Sequence, residues 1–346
     1  MDWQSIKERF ARDSDAESSS VMPKLVLWLL ALYLLAILLV GAYWSVLPGP
    51  VDVEQYARSA SAGNDQRVVV GTTTTAALIS TLEVLLEKRG GFLSNDIFPP
   101  GVWLDNVPSW EYGVLIQSRD LTRALRESFS RSQSQSQEDI SLSKAEPSLN
   151  FSSDSWAIPA TETEYRKAVK LLEEYLRRLG DQSSTQSQFY ARADNLSYWL
   201  AIVESRLGSL SQRLSASVGK PRLNTDLSGD SSAQQSTAAP SELEVKTPWN
   251  ELDNVFYESR GSAWALSQFL RAAQIDFSDV LEKKNAQVSL RQIIRELEGA
   301  QQSVYSPVIL NGSGYGVLTN HSLVMASYIS RANAAIIDLR DLLSQG

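Results

Sequence analysis

The chain has 346 residues and a formal net charge of -8, from 32 Lys and Arg against 40 Asp and Glu. This acidic balance argues against nucleic acid as a partner, because phosphate recognition requires clustered basic side chains. Cysteine is absent and His321 is the single histidine, which excludes disulfides, thiolate metal sites and any site that needs two imidazoles.

An apolar segment near the N-terminus predicts a transmembrane anchor. Residues 25–47 carry no charge and as a helix extend about 34 Å, enough to cross a hydrocarbon core of about 30 Å. Trp28 and Trp44 lie near opposite ends, as in aromatic belts. A buried core helix rarely lacks a polar face over this length. A cleaved signal peptide has a shorter apolar core and a small-residue cleavage site, so an uncleaved anchor is expected.

The distribution of Lys and Arg predicts the orientation of this anchor. Residues 1–24 contain four of them, whereas residues 48–67 contain only Arg58 and Arg67. The positive-inside rule predicts that residues 1–24 are a cytoplasmic tail and that the domain after the anchor lies outside; if the cell is a diderm bacterium, outside means the periplasm.

Residues 48–218 are predicted to form the first half of a helical domain. A helix is expected to start among Thr72–Thr75 and to run to Lys88, before Gly90 and Gly91. After a turn-rich segment, residues 112–117 are predicted as a short strand or extended chain that leads into a helix at about Asp120–Arg131.

Two further helices are predicted in this half. Thr161-Glu-Thr-Glu164 fits a capping box, which predicts a helix start. A later stripe has a 3.5-residue repeat, typical of helices packed at shallow angles: Phe189, Ala193, Leu196, Leu200, Val203, Leu207, Leu210 and Leu214. Either an ordinary helical core or an intermolecular coiled coil would cover this stripe.

Residues 219–247 are rich in Ser, Asp, Gln and Pro, which predicts a flexible linker. Residues 248–346 form the predicted second half, with helices after Pro248, over about Val288–Leu297 and over about Asn320–Leu343. The predicted fold is therefore mostly α: an N-terminal transmembrane helix followed by an elongated helical bundle with coiled-coil-like packing.

Several phrases in the chain resemble one known family. They include Val70-Gly-Thr-Thr-Thr-Thr75, Leu93-Ser-Asn-Asp96, Pro99-Pro-Gly-Val-Trp-Leu-Asp-Asn106, Gln188-Phe-Tyr-Ala-Arg-Ala-Asp-Asn195 and Leu207-Gly-Ser-Leu-Ser-Gln-Arg-Leu-Ser-Ala-Ser217. The chain is similar to uncharacterised proteobacterial inner-membrane proteins that share a domain of unknown function. This resemblance implies a bacterial envelope setting and no particular activity.

Motifs that suggest chemistry are weak. Ser141-Leu-Ser-Lys144 matches the S-x-x-K nucleophile motif, but it lacks a downstream Lys-Thr-Gly partner. Gly312–Gly316 resembles a phosphate loop without a framing strand and helix. Asn320 is expected to cap the last helix, with His321 exposed or part of the cap. We therefore predict no catalytic residue, metal site or cofactor.

The turn-rich loop holds the candidate partner-binding residues Trp103, Asn106 and Trp110, because tryptophan-bearing loops are common at binding surfaces. The alternative is that both indoles fold back onto the helical core. The predicted function is a membrane-anchored, non-catalytic scaffold or interaction module with a protein partner in the envelope. An envelope enzyme or ligand sensor acting on cell-wall or lipid substrates is the alternative, and the sequence leaves the oligomeric state open.

Overall fold

The computed structural model describes residues 3–62, 67–131, 138–181, 187–223, 242–306, 308–313 and 316–345. Within them the elements are α1 (Trp3–Trp44), α2 (Val53–Ala62), α3 (Thr72–Glu87), α4 (Asn106–Ala124), α5 (Ile140–Leu149), α6 (Thr161–Gly180), α7 (Ala193–Ser215), β1 (Lys220–Leu223), β2 (Glu242–Val245), α8 (Leu252–Asp276), α9 (Ser278–Lys283), α10 (Gln287–Gly299) and α11 (His321–Ser344). The predicted mostly α fold, an apolar helix followed by a helical domain, is confirmed.

Helix α1 joins the charged N-terminal tail and the apolar segment in one continuous helix. Within the part of the chain that the structure describes, Met22–Trp44 is the one helix long and apolar enough to cross a membrane. Most of its large side chains are exposed, including Leu25, Trp28 and Leu35. An outward-facing apolar surface of this length distinguishes α1 from the core helices that follow it.

The core of the domain is built where helices from early and late parts of the chain meet. Helix α4 packs against α8, and α7 packs against α11. Trp110 on α4 contacts Trp264 on α8, with ring centroids 5.2 Å apart. The backbones approach closely here because Gly113 and Gly261 face the partner helix. A Cβ on Gly261 would lie 2.1 Å from the carbonyl oxygen of Trp110.

Two local predictions are wrong, and both errors have a tertiary cause. Residues 112–117 lie inside α4: Gly113, Val114 and Leu115 are buried in succession, whereas a strand with one buried face would alternate. The second error concerns the capping box, since the Thr161 hydroxyl donates to the carbonyls of Ser152 and Ser155, at 2.8 and 3.0 Å, instead of capping the helix that begins there. The helix start itself is confirmed.

The predicted stripe on α7 is covered inside the chain. Its residues Leu196, Leu200, Val203, Leu207 and Leu214 are buried in the core, and α11 is the principal neighbour of α7. Of the two alternatives, the stripe is therefore part of an ordinary helical core within the chain.

The predicted linker begins and ends in a short antiparallel pair. Lys220 pairs with Val245, and Leu223 pairs with Glu242. Residues 224–241, the centre of the predicted linker, lie outside the described residues.

Candidate functional site

The three residues predicted to bind a partner do not share a surface. Trp103 ends a short 3-10 turn and is exposed. Asn106 is the first residue of α4, and its buried Oδ1 has no hydrogen-bond partner among the described residues. Trp110, one turn further along α4, is only 1% exposed. Trp110 thus folds back into the core, whereas Trp103 remains on the surface.

The Trp103 loop lies against the end of α1. A Cβ built on Gly41 of α1 would lie 3.4 Å from Pro100 and 3.9 Å from Leu104, so the loop and the helix are in van der Waals contact. Ile37, one turn earlier on the same face of α1, is buried as well. A glycine at position 41 permits this approach because it carries no side chain.

A second set of contacts joins the last turn of α1 to the segment after α3. The Arg89 guanidinium lies over the Tyr43 ring, 4.8 Å from its centroid, in a cation–π contact. Gly90, at φ 83°, packs under the Trp44 indole, and a Cβ there would come within 2.7 Å of the ring. The Trp264 Nε1 of α8 donates to the carbonyl of Gly49, at 3.1 Å. We call these contacts, together with those of Gly41, the junction.

A buried ion pair fixes the segment that carries the junction. Lys88 pairs with Glu111 of α4, and both side chains are almost completely buried. Glu111 also accepts from the backbone N–H of Leu93 and of Ser94, each at 2.8 Å, and from the Ser94 hydroxyl. Burial raises the pKa of Glu111, while the Lys88 ammonium and these donors oppose the rise. Sequence reasoning missed this pair because nothing in the spacing links the two residues.

The Val70–Thr75 motif forms a second buried polar centre. The Asp276 carboxylate at the end of α8 accepts from the Thr74 backbone N–H at 2.6 Å and from its hydroxyl at 2.7 Å. Burial raises the pKa of Asp276, against the lowering effect of these bonds and of the Gly71 and Thr73 backbone donors. The carboxylate thus satisfies the first amides of α3 and ties that helix to α8.

The S-x-x-K motif is placed for structure. Asp139 caps α5 by accepting from the backbone of Ser141 and Leu142, and Arg178 of α6 donates to both its oxygens, at 2.8 and 2.9 Å. The Ser141 hydroxyl donates to Glu174 at 3.1 Å, whereas Lys144 is exposed. The serine and the lysine therefore do not form a nucleophile and base.

The described residues 310–313, at the start of the glycine-rich segment, are bonded to Asn320 and His321. Asn320 caps α11, as predicted, by accepting from the backbone N–H of Leu323 at 2.9 Å, and its amide nitrogen donates to the carbonyl of Gly312. His321 is partly buried, and its Nδ1 accepts from the backbone N–H of Leu310 at 3.0 Å. The histidine therefore contributes to the loop rather than facing solvent.

Two cavities lie on either side of Leu47–Pro50, directly after α1. The larger has a volume of about 530 Å³ and is lined by Tyr56, Glu83, Glu87 and Arg89, among others; the second has about 390 Å³ and reaches Trp110, Arg260 and Trp264. Tyr56 donates to Glu83 at 2.7 Å, and burial together with that carboxylate raises the pKa of Tyr56. Among the described residues, no group of three or more His, Cys, Asp or Glu side chains is arranged to hold a metal ion.

Comparison with known proteins gives a family and no activity. Residues 17–346 match the model of a family described as an uncharacterized protein conserved in bacteria (DUF2333). No curated protein and no solved structure matches the chain. Because the match covers α1 from residue 17 onward and the whole helical domain, the chain belongs to the DUF2333 family of bacterial proteins.

Proposed function

We propose that this chain is a single-pass protein of the bacterial inner membrane whose helical domain acts in the periplasm as a non-catalytic scaffold or interaction module. The junction carries the proposal: the domain packs on the last turns of α1 at Gly41, Tyr43 and Trp44. A domain attached in this way keeps one distance and orientation relative to the bilayer. Tethering also raises its effective concentration for partners in the same membrane.

The buried ionisable groups support a structural role. The carboxylates of Glu111, Asp139 and Asp276 each accept several hydrogen bonds from within the domain. A general acid or base must instead reach a proton of its substrate. The oxygens of these three carboxylates are instead occupied by bonds that hold elements of the domain together.

An envelope enzyme or ligand sensor is the second candidate, and the larger cavity favours it. Its volume of about 530 Å³ falls within the range of small-molecule sites, about 300–1,000 Å³. It lies between Leu47 and α3, so a ligand in it would contact the junction directly. A rise in the melting temperature with cell-wall or lipid fragments, abolished by Tyr56→Phe and Glu83→Gln, would favour this candidate.

The topology is tested by single cysteines, because the chain has none of its own. Ser5→Cys precedes the apolar segment and Glu244→Cys lies on exposed β2. A membrane-impermeant maleimide is expected to label Glu244→Cys in spheroplasts and Ser5→Cys only after lysis of the inner membrane. The reverse pattern would overturn the periplasmic placement.

Partner capture tests the scaffold. The full chain, tagged at its C-terminus and expressed at native level, is crosslinked in cells and purified in mild detergent. Trp44→Ala removes an indole of the junction, and Trp28→Ala is its matched control on the exposed part of α1. We expect an envelope partner that Trp44→Ala loses and Trp28→Ala keeps. A partner retained by both variants contradicts the role of the junction, and no partner at all contradicts the scaffold.

A further inference from the structure

We propose that the domain holds a second membrane contact, a set of apolar side chains on two loops that enters the lipid leaflet on the domain's side of the bilayer. This inference rests on the proposed function, because it requires α1 to span that bilayer. The set, here called the apolar rim, contains six residues: Ile97, Phe98, Val102, Trp103, Trp156 and Ile158.

The side chains of the apolar rim are large and apolar, yet they are exposed on the surface of the domain. Its six large apolar side chains are between 44% and 102% exposed. Isolated exposed apolar residues are ordinary, but a group that includes two tryptophans and a phenylalanine marks a surface that something covers. The position of the rim on the domain indicates what covers it.

The rim lies beside α1, and this position favours lipid as the material that covers it. Pro100, in the middle of the first loop, contacts α1 at Gly41, and Ile37 is buried one turn deeper. Gly41 lies three residues before the end of the apolar segment Met22–Trp44, which is about 4.5 Å along the helix. If that segment spans the bilayer, the loop packed on Gly41 reaches the edge of the hydrocarbon.

The second loop is attached to the first. The Asn95 side-chain amide donates to the carbonyl of Ser155 at 2.9 Å and to the Glu162 carboxylate at 2.8 Å. Ser155 directly precedes Trp156, and Asn95 lies two residues before Ile97. These bonds hold the start of the second loop next to the start of the first.

The chemistry of the first loop suits an apolar medium. Residues 97–104 read Ile-Phe-Pro-Pro-Gly-Val-Trp-Leu, without a charge, between Asp96 and Asp105. Pro99 and Pro100 carry no backbone N–H, and the N–H groups of Val102, Trp103 and Leu104 donate to carbonyls of the same loop at 3.2, 2.9 and 2.9 Å. Backbone groups must be paired in this way where water is excluded. Trp and Phe are also among the residues that favour the membrane interface.

Three single-cysteine variants test the inference in the full chain. Leu35, Val102 and Val70 are 53%, 52% and 52% exposed, so a fluorophore attached at each position has similar freedom. Leu35 lies in the apolar segment of α1 and Val102 in the apolar rim. Val70 precedes α3 at the end opposite Gly90, which is separated from it by the length of a 16-residue helix.

Each labelled variant is reconstituted in vesicles of phosphatidylethanolamine and phosphatidylglycerol. A quencher carried on the lipid chains is compared with aqueous iodide, after circular dichroism shows that all three variants unfold like the parent. We expect the lipid-borne quencher to act several-fold more strongly on the labels at Leu35→Cys and Val102→Cys than at Val70→Cys, with iodide in the opposite order.

The outcomes separate the two proposals. If the label at Leu35→Cys is open to iodide, the membrane-spanning assignment fails. If Leu35→Cys is in lipid while Val102→Cys behaves like Val70→Cys, the apolar rim is solvated and only this inference is overturned. If Val102→Cys is shielded from both quenchers, protein covers the rim, and a lipid contact is again overturned.

Discussion

Trp103 and Trp110 are seven residues apart in one segment, yet they lie in opposite environments. Trp110 is buried in the core, against Trp264 and at the crossing of α4 and α8, where Gly113 and Gly261 lie. Trp103 projects from a short turn beside α1. One tryptophan is thus packed in the core, whereas the other lies on the surface.

Apolar character alone therefore does not assign a residue to the core of this domain. Trp110 is buried because α8 brings the Trp264 indole against it, and Gly113 of α4 and Gly261 of α8 let the two helices approach closely. Trp103 is exposed because its loop packs on α1 through Pro100 and Leu104 instead. Each environment makes a different prediction for substitution, and the following experiments test that contrast.

The largest contrast is expected between the two tryptophans themselves. Trp110→Ala removes a buried indole and should lower the free energy of unfolding by about 3–5 kcal/mol. Trp103→Ala should change it by no more than about 0.5 kcal/mol, as at other surface positions. Thermal and denaturant unfolding of both variants in detergent measures the difference. Equal losses would place Trp103 in the core and remove the contrast.

Loss of the buried ion pair should be nearly as severe. Lys88→Met leaves Glu111 buried without its cation, which is expected to cost about 3–5 kcal/mol near neutral pH. Burial raises the pKa of Glu111, and Lys88 opposes that rise. The pKa of Glu111 should therefore be higher in Lys88→Met than in the parent.

The stability lost in Lys88→Met is expected to depend on pH. A carboxyl whose pKa is raised in the folded state binds more protons there than in the unfolded chain, so stability falls as the pH rises from its ordinary pKa to the raised one. The deficit of Lys88→Met should therefore shrink as the pH falls, because protonation of Glu111 removes the buried charge that lacks its cation. Lys144→Met, at an exposed position, is the control. A deficit independent of pH would contradict the mechanism.

The close approach of α4 and α8 is tested by Gly261→Ala. Alanine favours a helix over glycine by about 1 kcal/mol, but its Cβ would lie 2.1 Å from the Trp110 carbonyl oxygen. We expect the clash to dominate, with a net loss of about 1–3 kcal/mol. Gly49→Ala, where a Cβ meets nothing within 4 Å, should unfold like the parent. A Gly261→Ala variant as stable as the parent would mean that the helices do not approach this closely.

The smallest effect is expected at the tie between α3 and α8. Thr74→Val keeps the shape of the side chain but removes the hydroxyl that donates to Asp276. The remaining backbone donors still satisfy the carboxylate, so the loss should be about 1 kcal/mol. Thr163→Val, at an exposed position on α6, controls for the change of residue type. An equal loss in both variants would show that the hydroxyl contributes nothing specific.

Features that depend on a local pattern of residues could be predicted before the fold was known. The uncharged segment 25–47 predicts a long helix that is apolar on every face, because no polar side chain interrupts it at a helical spacing. Short-range signals placed the α3 start among Thr72–Thr75 and predicted the Asn320 cap, since both depend on residues within one turn. The stripe on α7 predicted its buried face correctly because a periodic apolar face is a property of one helix.

Which elements pack against each other could not be predicted from local patterns. Residues 112–117 read as extended chain but join α4, and the Thr161 hydroxyl turns from its own helix to the preceding loop. The pairing of Lys88 with Glu111 and of Asp276 with Thr74 joins residues far apart in the chain, so no local pattern encodes it. The same holds for Trp103 and Trp110, because burial depends on the neighbour that the fold supplies rather than on the side chain itself.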